Sequence, residues 1–248
     1  MQPGLCSVNQ FLGSQGATMN DKPAMTCTWL HRRRASVCVV FFAGWGMDAR
    51  PFAPLSAGGV DVCMLSGYQK VEAPNMMQLH EYEEVVLLAW SFGVWMAAQV
   101  CTWQLRAGCS DMIALAGTLK PVDAQLGLAP EQFEAVLANF DETVLVKFYG
   151  SMFDEEAHSA LFLKNRPRRE LADLNRELAF LHRESLAAPV ALDMFTQHIV
   201  TSRDRIFSGR NQTRSWGREN VRVLQWPHFP FYHFATWGEL LAALRADV

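Results

Sequence analysis

The sequence predicts an α/β fold: a mostly parallel central sheet with flanking helices and a helical segment inserted before the last strands. Three observations lead to this prediction. Short runs that are apolar on both faces recur along the chain, as is typical of buried parallel strands. A helix-forming stretch follows the third run, which gives the strand-then-helix order of a parallel sheet with right-handed crossovers. From about residue 121 to 189, helix formers and charges replace the apolar runs.

The strand predictions rest on six short runs that end in Gly, Ser or another turn-forming residue. Their length and their β-branched or aromatic content favour strands over buried helices. The runs are Val37–Ala43, Val60–Leu65, Val85–Trp90, Met112–Ala116, Phe195–Ser202 and Val221–Trp226. Strand-like residues already begin at Met25, so we expect the folded domain to cover 25–248. Residues 1–24 are rich in Gly, Ser, Gln and Asn and predict a loose extension.

The helix predictions divide into flanking helices and an inserted block. Phe92–Leu105 follows the third run, and Trp237–Arg245 closes the chain as an amphipathic helix. Glu131–Asn139 and Arg168–Glu184 are the clearest helical stretches between about 121 and 189. A helical block between sheet strands predicts a lid over a site.

Composition excludes several function classes. The chain has 248 residues, 50% of them hydrophobic, and a net charge of −3, which argues against a nucleic-acid partner. The longest apolar runs are too short to cross a membrane. The first 24 residues show no basic start followed by an apolar stretch, so we expect no signal peptide, and the six cysteines show no C-x-x-C spacing. We therefore expect free thiols and a cytoplasmic protein without membrane contact.

A candidate nucleophile stands where the third strand meets its helix. The sequence there is Ala89-Trp90-Ser91-Phe92-Gly93. A serine on a sharp strand-to-helix turn projects its hydroxyl from the carboxyl edge of the sheet, and only small neighbours fit such a turn. Ala89 replaces the first glycine of the G-x-S-x-G pattern. The alternative interpretation is a serine that caps an ordinary core helix.

A second motif ends the first buried run. Phe42-Ala43-Gly44-Trp45-Gly46-Met47-Asp48 contains a Gly-aromatic-Gly turn. Backbone N–H groups in such a turn can bind a developing oxyanion, together with the residue after the nucleophile. The predicted donors are the amides of Trp45 and Phe92. A plain tight turn is the alternative.

The candidate acid and base follow the serine in the order Ser, Asp, His. Asp204 follows the fifth run and His228 follows the last, so each lies beyond the carboxyl end of a strand. The histidine would accept the serine proton, and the aspartate would hold its tautomer. His233 is a rival base and Asp193 a weaker acid candidate. His198 lies within a strand and fits a core role better.

Together the motifs resemble the BioG-type esterases of biotin synthesis. The resemblance rests on Phe42–Asp48, Ala89–Trp95 and Gly117–Asp123, and it runs from about Met25 to the C-terminus. It includes alanine in the place of the first glycine. His228-Phe229-Pro230-Phe231 also resembles the His-x-Pro-Phe of the equivalent BioH-type esterases, which favours His228 over His233.

The resemblance implies an α/β-hydrolase fold and a substrate. That substrate is the methyl ester of pimeloyl-acyl-carrier protein, so the expected partner is an acyl carrier protein and no metal or organic cofactor is needed. The pimeloyl chain would lie among aromatic side chains, for which core packing is the alternative role. The candidates are Trp45, Phe92, Phe140, Phe148 and Tyr149.

The carrier protein is acidic, and the inserted block offers a basic surface to it. The segment from Lys164 to Glu184 contains six basic residues and four acidic ones. The predicted docking residues are Arg166, Arg168, Arg169 and Arg176. Spacings of four residues, Arg166 to Glu170 and Arg169 to Asp173, instead fit a solvated helix with paired charges.

Three other functions remain open at this point. A thioesterase or another carboxylesterase would use the same three residues with a different pocket. An acyltransferase would pass the acyl group to an alcohol or amine. A binding protein on this fold would have a disabled site, against which the intact Ser91, Asp204 and His228 argue.

Overall fold

The computed structural model describes residues 25–72, 77–101 and 103–246. The predicted extension over 1–24 lies outside the described residues. None of the described helices has the length and apolarity that a membrane crossing requires.

Seven strands form one sheet in the order β1-β3-β2-β4-β5-β6-β7. They are β1 Thr26–His31, β2 Val37–Phe42, β3 Val60–Ser66, β4 Glu84–Trp90, β5 Asp111–Leu115, β6 Gln197–Thr201 and β7 Val221–Leu224. All neighbours pair in parallel except β1, which runs antiparallel to β3. The six predicted strands are confirmed to within one or two residues at each end. Strand β1 lies where strand-like residues were predicted to begin, at Met25, but its antiparallel pairing was not predicted, because its half-exposed Thr and Trp residues form no apolar run.

Eight helices surround the sheet in the described part of the chain. They are α1 Phe92–Val100, α2 Trp103–Gly108, α3 Pro130–Ala138, α4 Glu142–Ser151, α5 Glu156–Lys164, α6 Leu171–Ala187, α7 Gly209–Trp216 and α8 Trp237–Arg245. The predicted helix Phe92–Leu105 is in fact two, since Cys101 adopts an extended backbone and ends α1. Helices α3 to α6 lie within the segment predicted as a lid, and their role as a lid stays a prediction.

Helix α6 begins three residues later than predicted. The backbone N–H of Arg168 donates to Asp48 Oδ2 at 2.8 Å, and the Nε of Arg50 donates to the carbonyl of Arg166 at 3.1 Å. These contacts hold the segment before α6 extended against the loop that follows β2. The wrong boundary matters, because three of the four predicted docking arginines, Arg166, Arg168 and Arg169, lie before the helix and not on it.

An aromatic cluster supports the end of the sheet where the site lies. Phe229 and Phe231 are fully buried, and Phe231 packs edge-on against Phe41 of β2 at 5.4 Å. Phe229 stacks on Phe52 at 5.7 Å, and Phe231 packs on Trp237 of α8 at 5.8 Å. Burying side chains of this size stabilises by about 2 to 3 kcal/mol each, so the loop after His228 is firmly anchored.

Candidate active site

Ser91 occupies a strained turn between β4 and α1. Its backbone has φ 60° and ψ −130°, which is costly for a residue with a Cβ and is typical of functional turns. The side chain makes no capping hydrogen bond to α1, so the alternative of an ordinary capping serine is wrong. A Cβ on Gly93 would lie 2.2 Å from the carbonyl oxygen of Phe42, and one on Gly117 would lie 2.3 Å from that of Ser91. Only glycine therefore fits at these two positions.

His228 reaches the serine from the loop after β7. Its Nε2 lies 3.0 Å from Ser91 Oγ, and its side chain is almost completely buried. The ring stacks on Phe207 at 5.9 Å, and the carbonyl of His228 accepts a hydrogen bond from Trp90 Nε1 at 2.7 Å. Both the ring and its backbone are thus held by neighbours of the serine.

Asp204 completes this chain of hydrogen bonds from the loop after β6. Its Oδ2 lies 2.7 Å from His228 Nδ1. The same oxygen accepts from the hydroxyl of Thr201 at 3.0 Å and from Gln212 Nε2 at 3.1 Å, while Oδ1 accepts two backbone N–H groups at 2.7 and 2.9 Å. Five donors surround a fully buried carboxylate, which is the environment that an ionised acid requires.

The contacts define where the protons lie. An ionised carboxylate only accepts, so Nδ1 of His228 carries the proton and donates it to Asp204. Nε2 is then a free acceptor that faces the hydroxyl of Ser91. A base that accepts the hydroxyl proton at this position would activate the oxygen for attack.

The rival residues lie elsewhere. His198 Nε2 is 2.9 Å from Asp193 Oδ2, Nδ1 is 3.0 Å from the carbonyl of Asn220, and the ring stacks on Trp216 at 4.3 Å. The two weaker candidates therefore pair with each other at the sheet, away from the serine. His233 lies beside helix α5, with its Nδ1 3.9 Å from Glu155.

The turn after β2 packs directly against the serine. A Cβ on Gly44 would lie 3.1 Å from the Cβ of Ser91, and Gly46 has a positive φ of 77°. Trp45 between them is buried, and Phe92 is the first residue of α1, where a backbone N–H has no partner within its helix. Trp45 and Phe92 therefore both line the space beside Ser91, and the role of their amides as oxyanion donors stays a prediction.

Sequence reasoning missed a carboxylate that anchors this turn. Glu177 of α6 is fully buried and accepts from the backbone N–H of Tyr68 at 3.0 Å and from that of Gly46. Burial raises its pKa, and an ion pair with Arg169 opposes that shift. Trp45 Nε1 also donates to the carbonyl of Leu174 on the same helix at 3.0 Å. Helix α6 thus holds the turn through two polar contacts.

A cavity of about 420 Å³ opens beside Ser91. Four of the five predicted channel residues line it, namely Trp45, Phe92, Phe140 and Phe148. Phe140 and Phe148 pack on Trp45 at 5.6 and 5.0 Å. Its walls are otherwise mainly apolar side chains of α3, α4, α6 and the loop after Asp204, including Leu128, Phe133, Val136, Val144, Leu178, Ile206 and Phe207. Lys147 and Arg205 are its charged members.

Tyr149 does not lie on this cavity. Its ring is buried and packs against Phe162 of α5 at 5.0 Å, behind Phe148. The prediction that Tyr149 contacts substrate is corrected accordingly. Adjacent residues of a helix point about 100° apart, so only one of the two aromatic side chains can face the cavity.

The four predicted docking arginines differ in their surroundings. Arg169 pairs with the buried Glu177, and only 16% of its side chain is exposed, so its charge is engaged within the fold and its docking role stays a prediction. Arg166 pairs with Glu142 of α4, and Arg176 pairs with Asp173. Arg168 is exposed. None of these pairs is one of the predicted four-residue spacings, since the first arginines precede the helix.

Known proteins resemble this chain in sequence. The family model described as "Pimeloyl-ACP methyl esterase BioG" matches residues 25–240. A malonyl-[acyl-carrier protein] O-methyltransferase from Bacteroides fragilis is 32% identical over 178 residues, which are 72% of this chain and 36% of that protein. The chain thus spans about a third of the length of that relative.

Solved structures share the architecture. BioG from Haemophilus influenzae superposes with a TM-score of 0.75 at 24% identity, covering 90% of this chain and 100% of the other. An esterase from Exiguobacterium antarcticum gives 0.63 at 15% identity, covering 90% and 95%. The predicted α/β-hydrolase fold is confirmed.

Proposed function

The chain belongs to the BioG family, and on this premise we propose that it is a serine esterase that hydrolyses the methyl ester of pimeloyl-acyl-carrier protein. The products are methanol and free pimeloyl-acyl-carrier protein. The observation that carries the proposal is the unbroken hydrogen-bond chain from Ser91 through His228 to Asp204, which opens onto an apolar cavity.

The first half of the reaction forms an acyl-enzyme. Ser91 Oγ attacks the ester carbonyl while His228 Nε2 takes its proton, and Asp204 stabilises the imidazolium that results. The amides of Trp45 and Phe92 stabilise the oxyanion. When the tetrahedral intermediate collapses, the C–O bond to the methoxy group breaks, and His228 returns the proton to release methanol.

The second half repeats these steps with water. His228 takes a proton from water, and the resulting hydroxide attacks the acyl carbonyl. The bond to Ser91 Oγ breaks, the serine recovers its proton from His228, and a free carboxylic acid is left on the carrier-bound chain. The chain itself supplies every acid and base that this route needs.

The cavity suits a neutral ester. Its volume lies within the usual range for small-ligand sites, and its walls are mainly apolar. A neutral methyl ester enters such walls at little cost. Lys147 and Arg205 are the two charged side chains among its described lining residues.

The thioester end of the substrate continues into the phosphopantetheine arm and the acidic carrier protein. Lys147 and Arg205 line the cavity, and Arg168 is exposed on the segment that packs on the turn after β2. These three cations are the docking residues that we propose, with Arg166 and Arg176 as partly neutralised neighbours.

The Bacteroides fragilis relative supports the substrate class. By its name that protein methylates a malonyl group on acyl-carrier protein. The reaction proposed here removes a methyl group from a longer dicarboxylic acid on the same type of carrier. The matched region makes up about a third of the relative's length, so the comparison applies only to that region of the relative.

Incubation with pimeloyl-acyl-carrier protein methyl ester, followed by intact mass of the carrier, tests the proposal. We expect loss of one methyl group with wild type and none with Ser91→Ala, while Ser185→Ala on α6 stays active as the matched control. Release of the whole acyl chain would identify a thioesterase instead. Transfer to an added alcohol in preference to water would identify an acyltransferase.

A further inference from the structure

Three potential metal ligands lie together outside the proposed active site. Glu155 precedes α5, and His158 follows three residues later, so both side chains lie on one face of the first turn. His233 comes from the short turn over Phe231–His233 that follows His228. One donor atom from each residue lies within 4.8 Å of the others.

The geometry of this group is specific. His158 Nδ1 lies 3.7 Å from Glu155 Oε2, and His233 Nδ1 lies 3.9 Å from Oε1 of the same carboxylate. The two imidazole rings are nearly perpendicular, with centroids 4.8 Å apart. Bonds of about 2.0 to 2.1 Å to one ion would separate tetrahedral ligand atoms by roughly 3.4 Å. Small rotations of the exposed Glu155 and His233 side chains reach that separation.

Polar atoms without partners also mark the place. Within the described residues, the buried Nδ1 of His158 and the buried Oδ1 of Asp154 have no hydrogen-bond partner. The other oxygen of Asp154 accepts from Arg203 at 3.0 Å. A buried donor or acceptor left unpaired destabilises the fold, and an ion bound to Nδ1 of His158 would satisfy that atom.

We propose that Glu155, His158 and His233 bind a divalent transition-metal ion, with zinc as the best match. Two imidazoles and one carboxylate form a donor set of intermediate softness. Zinc and cobalt bind such ligands more readily than calcium or magnesium, which favour oxygen ligands alone. The exposure of two ligands leaves a fourth position for water.

Such an ion would join helix α5 to the loop that carries His228. The two segments already touch, since the N–H of Phe229 donates to the carbonyl of Met152 at 3.1 Å and Phe229 packs on Phe153 at 5.3 Å. A metal bridge at Glu155, His158 and His233 would add a cross-link between the inserted helices and the base loop. The ion takes no part in ester hydrolysis, and its binding stands or falls independently of that function.

The test uses the whole chain, stripped with a chelator and titrated with Co²⁺ and then Zn²⁺. We expect one Co²⁺ per chain with visible d–d absorption, displaced by one Zn²⁺. His158→Gln, His233→Gln and Glu155→Gln should each weaken binding at least about tenfold. His80→Gln, an exposed histidine elsewhere, is the matched control and should bind as wild type does.

Thermal unfolding gives a second measurement. Zinc at about a hundredfold above its dissociation constant should raise the Tm of wild type by roughly 5 to 10 °C and leave both histidine variants unchanged. The metal-free variants should hydrolyse esters as metal-free wild type does. Binding that survives either histidine substitution, or a near-ultraviolet thiolate-to-cobalt band, would place the ion elsewhere and overturn the proposal. So would a wild type that binds no ion.

Discussion

The carboxyl edge of the sheet and helix α6 both contribute to the candidate site, but different interactions hold the two regions in place. The sheet edge places Ser91, Asp204 and His228 through buried parallel strands and the loops that follow them. Helix α6 reaches the same site through two polar contacts with the turn around Trp45. The positions of the three proposed catalytic residues therefore depend on the backbone of the sheet, whereas the shape of the turn around Trp45 depends on a few side chains.

The two regions also differ at their surfaces. Strands β2 to β5 are almost entirely buried, whereas helices α3 to α6 expose several large apolar side chains to solvent. These are Val136, Val146, Leu161, Leu163, Leu171 and Leu186. We therefore expect substitutions in the helical segment to change substrate handling more than folding.

The largest expected effect tests the sheet edge. Asp204→Asn replaces a carboxylate that accepts five hydrogen bonds with a group that has a single acceptor oxygen, so His228 loses its tautomer and orientation. We expect kcat on the methyl ester to fall by about 10⁴-fold. Steady-state kinetics measure it.

The chain contains its own control for this substitution. Asp193→Asn changes the other His–Asp pair, with His198, and should leave kcat within about twofold. If both variants lost activity equally, the effect would come from stability, and Asp204 would have no special role.

The next effect tests the attachment of α6. Glu177→Gln keeps an acceptor for Tyr68 but removes the charge that pairs with Arg169, so the turn around Trp45 becomes less fixed. We expect kcat to fall by about tenfold with little change in KM, and stability to fall by about 2 kcal/mol. Asp173→Asn, whose surface pair with Arg176 contributes little, serves as the control. An unchanged kcat would show that α6 does not set the oxyanion turn.

A smaller effect concerns the carrier protein. Arg168→Glu should raise KM for the carrier-bound ester by about five- to tenfold at low salt and leave a small free methyl ester unaffected, because only the former carries the acidic protein. The control is Arg218→Glu, which lies before β7 and thus near the opposite edge of the sheet. Equal losses on both substrates would contradict docking at Arg168.

The smallest expected effect is on the pH dependence of stability, compared between two buried acids, Asp61 and Glu177. Burial opposes ionisation of Asp61, but hydrogen bonds from Arg33, Arg34 and Tyr82 outweigh it and lower its pKa. Asp61 therefore stabilises the fold above its unfolded pKa, and this contribution is lost as pH falls through the folded value.

Glu177 should behave in the opposite way. Its pKa is raised by burial, so its contribution is present below the unfolded pKa and is lost as pH rises through the folded value. Urea unfolding between about pH 3 and about pH 7 should show that Asp61→Asn and Glu177→Gln change the pH dependence of the free energy of unfolding in opposite directions relative to wild type. Parallel slopes would show that Glu177 is ionised as easily as an exposed acid.

The sequence alone determined the six parallel strands, the turn at Ser91 and the order of Asp204 and His228. Apolar runs and small residues report burial and backbone geometry locally, and parallel strands bring their carboxyl ends to one edge. Helix α7 was not predicted because nearly all of its residues are polar, and nothing local indicated that Gln212 would donate a hydrogen bond to Asp204.

Only the tertiary structure decided the partners of the inserted segment. Arg169 pairs with Glu177 and not with Asp173, and Phe148 rather than Tyr149 faces the cavity. Spacing along a chain restricts which side chains share a helix face, but only for residues within the helix. The true start of α6 lies three residues later than predicted, so the arginines before it do not follow helical spacing. The choice among nearby charges and rings then depends on distances in space, which are set by how α6 packs on the turn around Trp45.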